Sequence, residues 1–262
     1  TPFSFPELRQ KAKFAAIPST SGTATEVTAF SVITDYNTGI KYPLADFNIT
    51  PDVAIVDPEL VEGLPVKQVA YTGMDALTHA IEAYVSTLHC PYTDPLALQA
   101  IEMVLDYLPA SYNLNMEARE QMHYAQCLAG MAFSNALLGI VHSMAHALGA
   151  VYDTPHGVAN AILLPTVMEY NAPCTGTKYK DIAVAMGVEG VENMSQEEYR
   201  KAAVDAVKKL SADVGIPADL KAIVKAEDVD FLAQSAMDDA CRPGNPKDPT
   251  FEDIKNLYLS LM

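Results

Sequence analysis

The stretch GIVHSMAHALGAVYDTPHGVANAILLP, residues 139–165, carries the strongest evidence about the architecture of the chain. It predicts two helices. His142 and His146 are four residues apart and share one face of a first helix that is otherwise apolar all round. Pro155, His156 and Gly157 open the second helix. A helix that is apolar on every side is buried, and imidazoles buried in it need polar partners. The stretch therefore predicts a helical core that contains a polar site.

A second segment, YTGMDALTHAIEAYVS, residues 71–86, adds two more candidate ligands. Asp75 and His79 are four residues apart, so on a helix they project about 40° apart on one face, with Glu82 and Ser86 beside them. The opposite face is apolar and contains Met74, Leu77, Ile81 and Tyr84. We predict an amphipathic helix whose polar stripe carries a carboxylate and an imidazole.

Asp75, His79, His142 and His156 could converge as one carboxylate and three imidazoles on a divalent first-row metal, Fe(II) or Zn(II). Each feature alone has an ordinary structural interpretation, because a single histidine in a core is usually hydrogen-bonded and a D-x-x-x-H pair usually faces solvent. The joint occurrence of the three segments favours a metal site. His89 and His123 have polar, loop-forming neighbours, and we assign them no role.

Composition excludes several classes of protein. The chain has 262 residues, of which 50% are apolar and 19% charged, so it can bury a large core and is not disordered. Its formal net charge of −16 disfavours nucleic acid and membrane surfaces as partners. The four cysteines lie 37, 47 and 67 residues apart without a CxxC pair, which fits a reducing compartment and predicts a cytoplasmic protein.

The organisation changes along the chain. KFAAIP, FSVITD and DVAIVD in the first sixty residues predict three short strands, whereas helical periodicity begins near Glu59, with a boundary near Gly63 to Pro65. Between Cys127 and Tyr152 there is no charged residue, and we predict a buried core helix there rather than a membrane span. Ser195 and Thr250 are predicted helix N-caps, and Glu198 completes a capping box with Ser195.

A hydroxyl-rich loop, PSTSGTATE at residues 18–26, follows the first predicted strand. Hydroxyls and free backbone N–H groups in such a turn can bind phosphate or ribose oxygens, although an ordinary Ser/Thr-rich turn is the alternative. The loop has neither the Walker A nor the GxGxxG pattern. The N-terminus has no initiator Met and no secretory signal, and we expect the chain to be part of a longer one.

PSTSGTATEVT, GMDALTHAIEAY, GIVHSMAHALGA and TPHGVANAILLP, with ligand gaps of 4, 63 and 14 residues, together resemble the iron-containing (group III) alcohol dehydrogenase family. The resemblance implies a mainly α chain, in which residues 1–62 are the remnant of a Rossmann-like α/β dinucleotide-binding domain and residues 63–262 form an all-helical catalytic domain. The family's Gly-rich GGGS-type turn is not in the chain, which resembles about the last two-thirds of a member.

The resemblance also assigns roles. It implies that the metal ligands are Asp75, His79, His142 and His156, and that His146 relays a proton or contacts the cofactor. In the hydroxyl loop it implies cofactor contacts for Thr20, Ser21 and Thr23, and it places Lys41 near the ribose or nicotinamide. It further implies NAD or NADP as the cofactor and a homodimer or larger homo-oligomer.

The expected reaction is the reversible oxidation of a primary alcohol or small diol to its aldehyde, with hydride transfer to or from NAD(P). Phe133 and Cys241 are candidates for the pocket wall and suggest a modest apolar substrate. Two alternatives stay open: a metal-dependent hydrolase in which Glu82 is the base, and a helical metal-binding or oligomerisation domain without turnover.

Overall fold

The structure is a computed structural model that describes residues 7–38 and 40–262, with the backbone alone for residues 40, 41 and 43. The described residues form four short strands, nine α-helices and several 3₁₀ turns. The strands are β1 (Ala15–Ala16), β2 (Phe30–Asp35), β3 (Ile40–Ala45) and β4 (Val53–Ala54). The helices are α1 (Val66–Val85), α2 (Asp94–Tyr112), α3 (Met116–Ala136), α4 (Ile140–Tyr152), α5 (His156–Asn171), α6 (Lys178–Ala185), α7 (Gln196–Asp213), α8 (Val229–Met237) and α9 (Phe251–Ser260). The prediction of a mainly α fold is confirmed.

The strands form two separate pairs. β1 and β4 pair in parallel, an arrangement typical of α/β sheets, whereas β2 and β3 form an antiparallel hairpin. The three predicted strands are found, but the fourth, β3, was not expected. Its sequence, IKYPLA, contains Pro43, which disfavours a central strand. β3 forms because β2 supplies a partner across its whole length, from Phe30 opposite Ala45 to Asp35 opposite Ile40.

Helix α1 lies at the centre of the helical bundle and packs against α2, α3 and α5. The predicted apolar face is buried, but so is the predicted polar stripe, including Asp75, His79 and Glu82. Neighbouring helices therefore cover both faces of the predicted amphipathic helix. Charged and imidazole groups at this depth must be satisfied by one another or by a ligand.

The sequence predicts one helix for the uncharged stretch from Cys127 to Tyr152. In the structure, this stretch consists of parts of two helices. α3 ends at Ala136, Leu137 has a positive φ of 64°, and α4 starts at Ile140 with a 104° bend between the two helices. Gly139 sits at the bend, where a Cβ would lie 2.9 Å from Oε1 of Glu82. No single described helix is long and apolar enough to cross a bilayer, and α3 with α4 meets that criterion only as a bent pair.

The helix caps follow the sequence closely. Ser195 and Glu198 form the predicted capping box at the start of α7, and Thr250 caps α9 in a second box with Asp253. α1 starts at Val66, directly after the predicted change at Gly63 to Pro65. Arg119 of α3 donates to the carbonyl oxygens of Val61 and Glu62, which ties the bundle to the segment that precedes α1.

Close packing of α5 on α1 sets the position of His156. A Cβ on Gly157 would lie 2.0 Å from the carbonyl oxygen of Tyr71 in α1, which is too close for two heavy atoms that are not bonded to each other. The absence of a side chain at Gly157 therefore lets the first turn of α5 approach α1, and it brings His156 toward Asp75.

We predict that Gly157→Ala destabilises the fold by about 1–3 kcal/mol, because the added methyl group must push α5 away from α1. The matched control is Gly63→Ala, since a Cβ at Gly63 has no neighbour within 4 Å. Chemical denaturation of both variants measures the effect. Equal unfolding free energies for the two variants would contradict the packing argument.

Candidate metal centre

Four side chains from three helices meet at one point. Asp75 and His79 come from α1, His142 from α4 and His156 from α5, and each offers one donor atom within 4.8 Å of all the others. Oδ1 of Asp75 lies 3.6 Å from Nε2 of His156 and 3.8 Å from Nε2 of His142. Donors on one tetrahedral zinc ion lie about 3.4 Å apart, so a small contraction would suffice to close a shared coordination sphere.

The chemistry of this cluster fits a divalent metal. Three imidazoles and one carboxylate form a donor set suited to first-row ions. Nδ1 of the buried His79 has no hydrogen-bond partner among the described residues and lies 4.0 Å from Oδ2 of Asp75. A buried ring nitrogen without a partner is costly unless a ligand binds it. The cluster therefore has both the donors and the unmet bonding capacity of a metal site.

Burial keeps two of the imidazoles neutral. Desolvation lowers the pKa of His79, although the nearby Asp75 carboxylate partly opposes this effect. Desolvation also lowers the pKa of His142 well below its usual range, and repulsion from the neighbouring histidines adds to the shift. Neutral imidazole is the form that binds metal ions. These two side chains are therefore ready to act as ligands near neutral pH.

Glu82 orients His142. Its Oε2 lies 2.6 Å from Nδ1 of His142, and its Oε1 accepts a hydrogen bond of 2.8 Å from the backbone N–H of Val141. Burial raises the pKa of Glu82 to about 8, although backbone N–H groups at the start of α4 counteract part of the shift. When Glu82 is ionised and accepts the proton of Nδ1, the lone pair of Nε2 is available beside Oδ1 of Asp75, 3.8 Å away, as in carboxylate–histidine–metal arrangements. Both carboxylate oxygens are occupied, which argues against Glu82 as the base of a hydrolase.

Asn160 is a site residue that sequence reasoning missed. Its Nδ2 donates to Oδ1 of Asp75 at 2.7 Å and lies 3.1 and 3.2 Å from Nε2 of His142 and His156. A signal was available, because Asn160 stands four residues after His156 and hence on the same face of α5. Its amide fixes the carboxylate among the imidazoles.

His146 belongs to the same centre but faces a different partner. Its Nδ1 lies 2.8 Å from Oδ2 of Asp239, and its ring stacks on that of His156 with centroids 5.4 Å apart. Burial alone would raise the pKa of Asp239, but His146 and the N–H of Cys241 lower it on balance. Asp239 follows α8, far away in sequence and without a recognisable motif, so nothing in the sequence pointed to it.

A cavity of about 460 Å³ opens beside the four-residue cluster. The rings of His79, His142, His146 and His156 line it on one side. Phe133 and Cys241, the two predicted wall residues, line it too, and Phe133 stacks on His79 with centroids 4.3 Å apart. The hairpin contributes Phe30, Val32 and Thr34. The cavity surface is thus mainly apolar, with imidazoles from the helices and hydroxyls from the loop and the hairpin as its polar groups.

The hydroxyl loop is only partly where the prediction placed it. Thr23 lines the cavity, together with Thr25, and Thr20 is half-buried. The hydroxyl of Ser21 is instead buried, and its Oγ lies 3.0 Å from Nδ1 of His123, a residue to which we assigned no role. Ser21 therefore anchors the loop to α3. Lys41 lies on β3 opposite Thr34, and its side chain is outside the described part of the structure.

Comparison with known proteins identifies the family. Residues 69–262 match the family model described as Fe-containing alcohol dehydrogenase family, C-terminal, and residues 4–58 match that for iron-containing alcohol dehydrogenase. An NADPH-dependent butanol dehydrogenase of Clostridium saccharobutylicum is 58% identical over an alignment of 262 positions, which covers 98% of this chain and 67% of that protein. A lactaldehyde reductase of Escherichia coli K12 is 52% identical over 244 residues, or 93% of this chain and 64% of the relative.

Comparison with a solved structure supports the same family. The crystal structure of a 1,3-propanediol oxidoreductase superposes with a TM-score of 0.92 at 43% identity, over 95% of this chain and 66% of that one. The chain thus spans about two-thirds of the length of these relatives. The two family models together cover nearly all of its residues, and the relatives are oxidoreductases by name. The chain belongs to the iron-containing alcohol dehydrogenase family.

Proposed function

We propose that the chain forms the metal-binding part of an NAD(P)-dependent alcohol dehydrogenase, which interconverts a primary alcohol or small diol and its aldehyde. One observation carries the proposal: Asp75, His79, His142 and His156 meet at the side of a mainly apolar cavity. The relatives are named as a butanol dehydrogenase, a lactaldehyde reductase and a propanediol oxidoreductase. These names support a small alcohol or aldehyde as the substrate.

The four ligands would hold Fe(II) or Zn(II), since three nitrogens and one oxygen suit either ion. When bound, the ion supplies Lewis acidity, which makes an alcohol hydroxyl more acidic and a carbonyl carbon more electrophilic. Glu82 and Asn160 orient His142 and Asp75 for this task. Mutation of supporting residues of this kind typically lowers metal affinity about 10- to 100-fold.

The cavity beside the four-residue cluster is the proposed binding site for the substrate and the nicotinamide cofactor. Phe133 and Cys241 provide an apolar wall for a short carbon chain, and Thr23 and Thr25 present hydroxyls at the same cavity. We propose Thr23 and Thr20 as contacts of the nicotinamide nucleotide, with Ser21 holding the loop through His123 and Lys41 contributing from β3. Hydride transfer requires the nicotinamide and the substrate carbon to share a site that excludes water, and an apolar cavity favours this.

His146 is proposed as the proton relay. It lines the cavity, and its Nδ1 is held by Asp239, so Nε2 remains for exchange with a substrate or water. Histidine is suited to this task because its ordinary pKa lies near neutrality.

We further propose that residues 1–62 belong to the nucleotide-binding domain and residues 63–262 to the catalytic domain. The protein is proposed to be cytoplasmic and to act as a homodimer or larger homo-oligomer. Its four cysteines are free in the structure, which fits a reducing compartment.

A second candidate function is a helical metal-binding domain without turnover. It is supported by the ligand cluster itself, because all four proposed ligands lie on α1, α4 and α5. A nicotinamide assay separates the two. We expect the metal-loaded protein to oxidise NADPH or NADH when a short aldehyde is added. The loss of nicotinamide absorbance measures this reaction. Full metal occupancy without saturable nicotinamide binding would instead support the second candidate. Hydrolysis of an ester in the absence of nicotinamide would support a hydrolase.

We predict that His156→Ala lowers metal affinity by more than about 100-fold, beyond the effect typical of a residue that only supports a ligand. His156 suits the test because its side chain is 30% exposed, so its removal leaves a small cavity. The control is His89→Ala, which removes a half-exposed imidazole paired with Asp94 outside the cluster. Elemental analysis after dialysis gives the result, and unchanged metal content in His156→Ala would refute the ligand assignment.

We predict that His146→Gln lowers kcat by about 100-fold, because general acid–base catalysis typically contributes at least that much. The pH profile of kcat should also lose the limb that reports the relay, since glutamine does not titrate. At one equivalent of metal, occupancy of the four-residue cluster should stay at the wild-type level, which separates this variant from a variant of those four ligands. An unaltered pH profile would show that the proton takes another path.

A further inference from the structure

A second group of metal-binding side chains adjoins the first and shares no residue with it. His146 of α4, together with Asp239 and Cys241 from the segment after α8, offer three donor atoms that lie within 4.8 Å of one another. These donors are a ring nitrogen, a carboxylate oxygen and a thiol sulfur. All three residues come from outside the set of four proposed ligands.

The protein itself holds this group in place. Nδ1 of His146 lies 2.8 Å from Oδ2 of Asp239, and Oδ1 of Asp239 accepts the backbone N–H of Cys241 at 2.8 Å. His146 and Cys241 are 6% and 4% exposed, so neither side chain is free to swing away. Both also line the cavity beside the first cluster, which gives an ion a route to them.

We propose that His146, Asp239 and Cys241 form a second binding site for a divalent cation of borderline softness, such as Zn²⁺ or Co²⁺. Three protein donors with a fourth position open to a cavity are the arrangement that zinc adopts in sites accessible to solvent. The thiolate selects against Mg²⁺ and Ca²⁺, which prefer oxygen donors.

The second site is weaker than the first. To enter it, the ion replaces the hydrogen bond between His146 and Asp239. Binding forms bonds from the ion to nitrogen, oxygen and sulfur, and it releases the thiol proton and the Nδ1 proton to water. Donors on one zinc ion lie about 3.4 Å apart, so Nδ1 of His146 and Oδ2 of Asp239 must separate slightly from their 2.8 Å contact to share it. The first cluster offers four donors instead of three, and none of them is a thiol that must lose its proton, so it fills before the second.

Occupancy of the second site has a consequence that rests on the proposed function. An ion bound to Nδ1 of His146 holds the ring in place of Asp239 and adds positive charge beside the proposed proton relay. Excess Zn²⁺ should therefore inhibit turnover. The site itself is tested without any assay of activity.

The test is a titration of the metal-free protein with Co²⁺ in the absence of oxygen, followed by absorption spectroscopy. The first cluster contains no sulfur, so a thiolate-to-Co²⁺ charge-transfer band in the near ultraviolet reports binding to a cysteine, and the cysteine variants below assign the band to Cys241. We expect visible d–d bands with the first equivalent and the thiolate band with the second. Asp75→Asn should weaken the first event and leave the thiolate band, so the outcome is separate from that of the proposed function.

Two cysteine variants are the matched pair. Cys241→Ser should abolish the thiolate band, whereas Cys174→Ser, which alters an exposed thiol, should retain it. Asp239→Asn should weaken the second event by about 10-fold or more. The proposal is overturned if the wild-type protein shows no thiolate band at any Co²⁺ concentration, or if the band persists in Cys241→Ser. If Cys241→Ser fails to fold, a protein in which Cys90, Cys127 and Cys174 are replaced by serine keeps Cys241 as its sole thiol, and loss of the band in it overturns the proposal.

Discussion

The contact between Glu82 and the first turn of α4 is the interaction on which the geometry of the metal centre depends. One carboxylate oxygen accepts the N–H of Val141, and the other engages Nδ1 of His142. The same side chain therefore fixes where α4 begins and how its imidazole points. Gly139 makes the contact possible, because a side chain there would collide with Oε1 of Glu82. The break between α3 and α4 is thus a requirement of the site, and the bend in the chain follows from it.

Helix α1 must serve the core and the site together. Its apolar residues fill the centre of the bundle, and its buried Asp75 and His79 face α4 and α5. Burying such groups is unfavourable unless they are paired. Asn160 compensates part of the cost through its hydrogen bond to Asp75, while Nδ1 of His79 is left without a described partner. The remaining unmet capacity makes an ion, rather than a further hydrogen bond, the fitting occupant.

Local sequence signals predicted the helices and the four converging residues, but not the groups that support them. Spacing of four residues places Asp75 with His79 on a helical face, and the caps at Ser195 and Thr250 follow from local hydrogen bonding. The bend before α4 could not be predicted, because it depends on Glu82, more than fifty residues earlier. Asp239 was missed for the same reason: its contact with His146 spans 93 residues and leaves no local pattern.

The hydroxyl loop shows how the two sides of the cavity are linked. Gly22 packs against Thr72 of α1, where a Cβ would lie 2.7 Å from that residue's Cβ, and Ser21 is bonded to His123 of α3. A further buried hydrogen bond joins Gln126 of α3 to Glu26. The loop is thus fixed to the helix that carries Asp75 and His79. Because cavity-lining Thr23 lies between these anchors, its distance from the cluster is set by helix packing, and the loop needs no motion of its own to hold that distance.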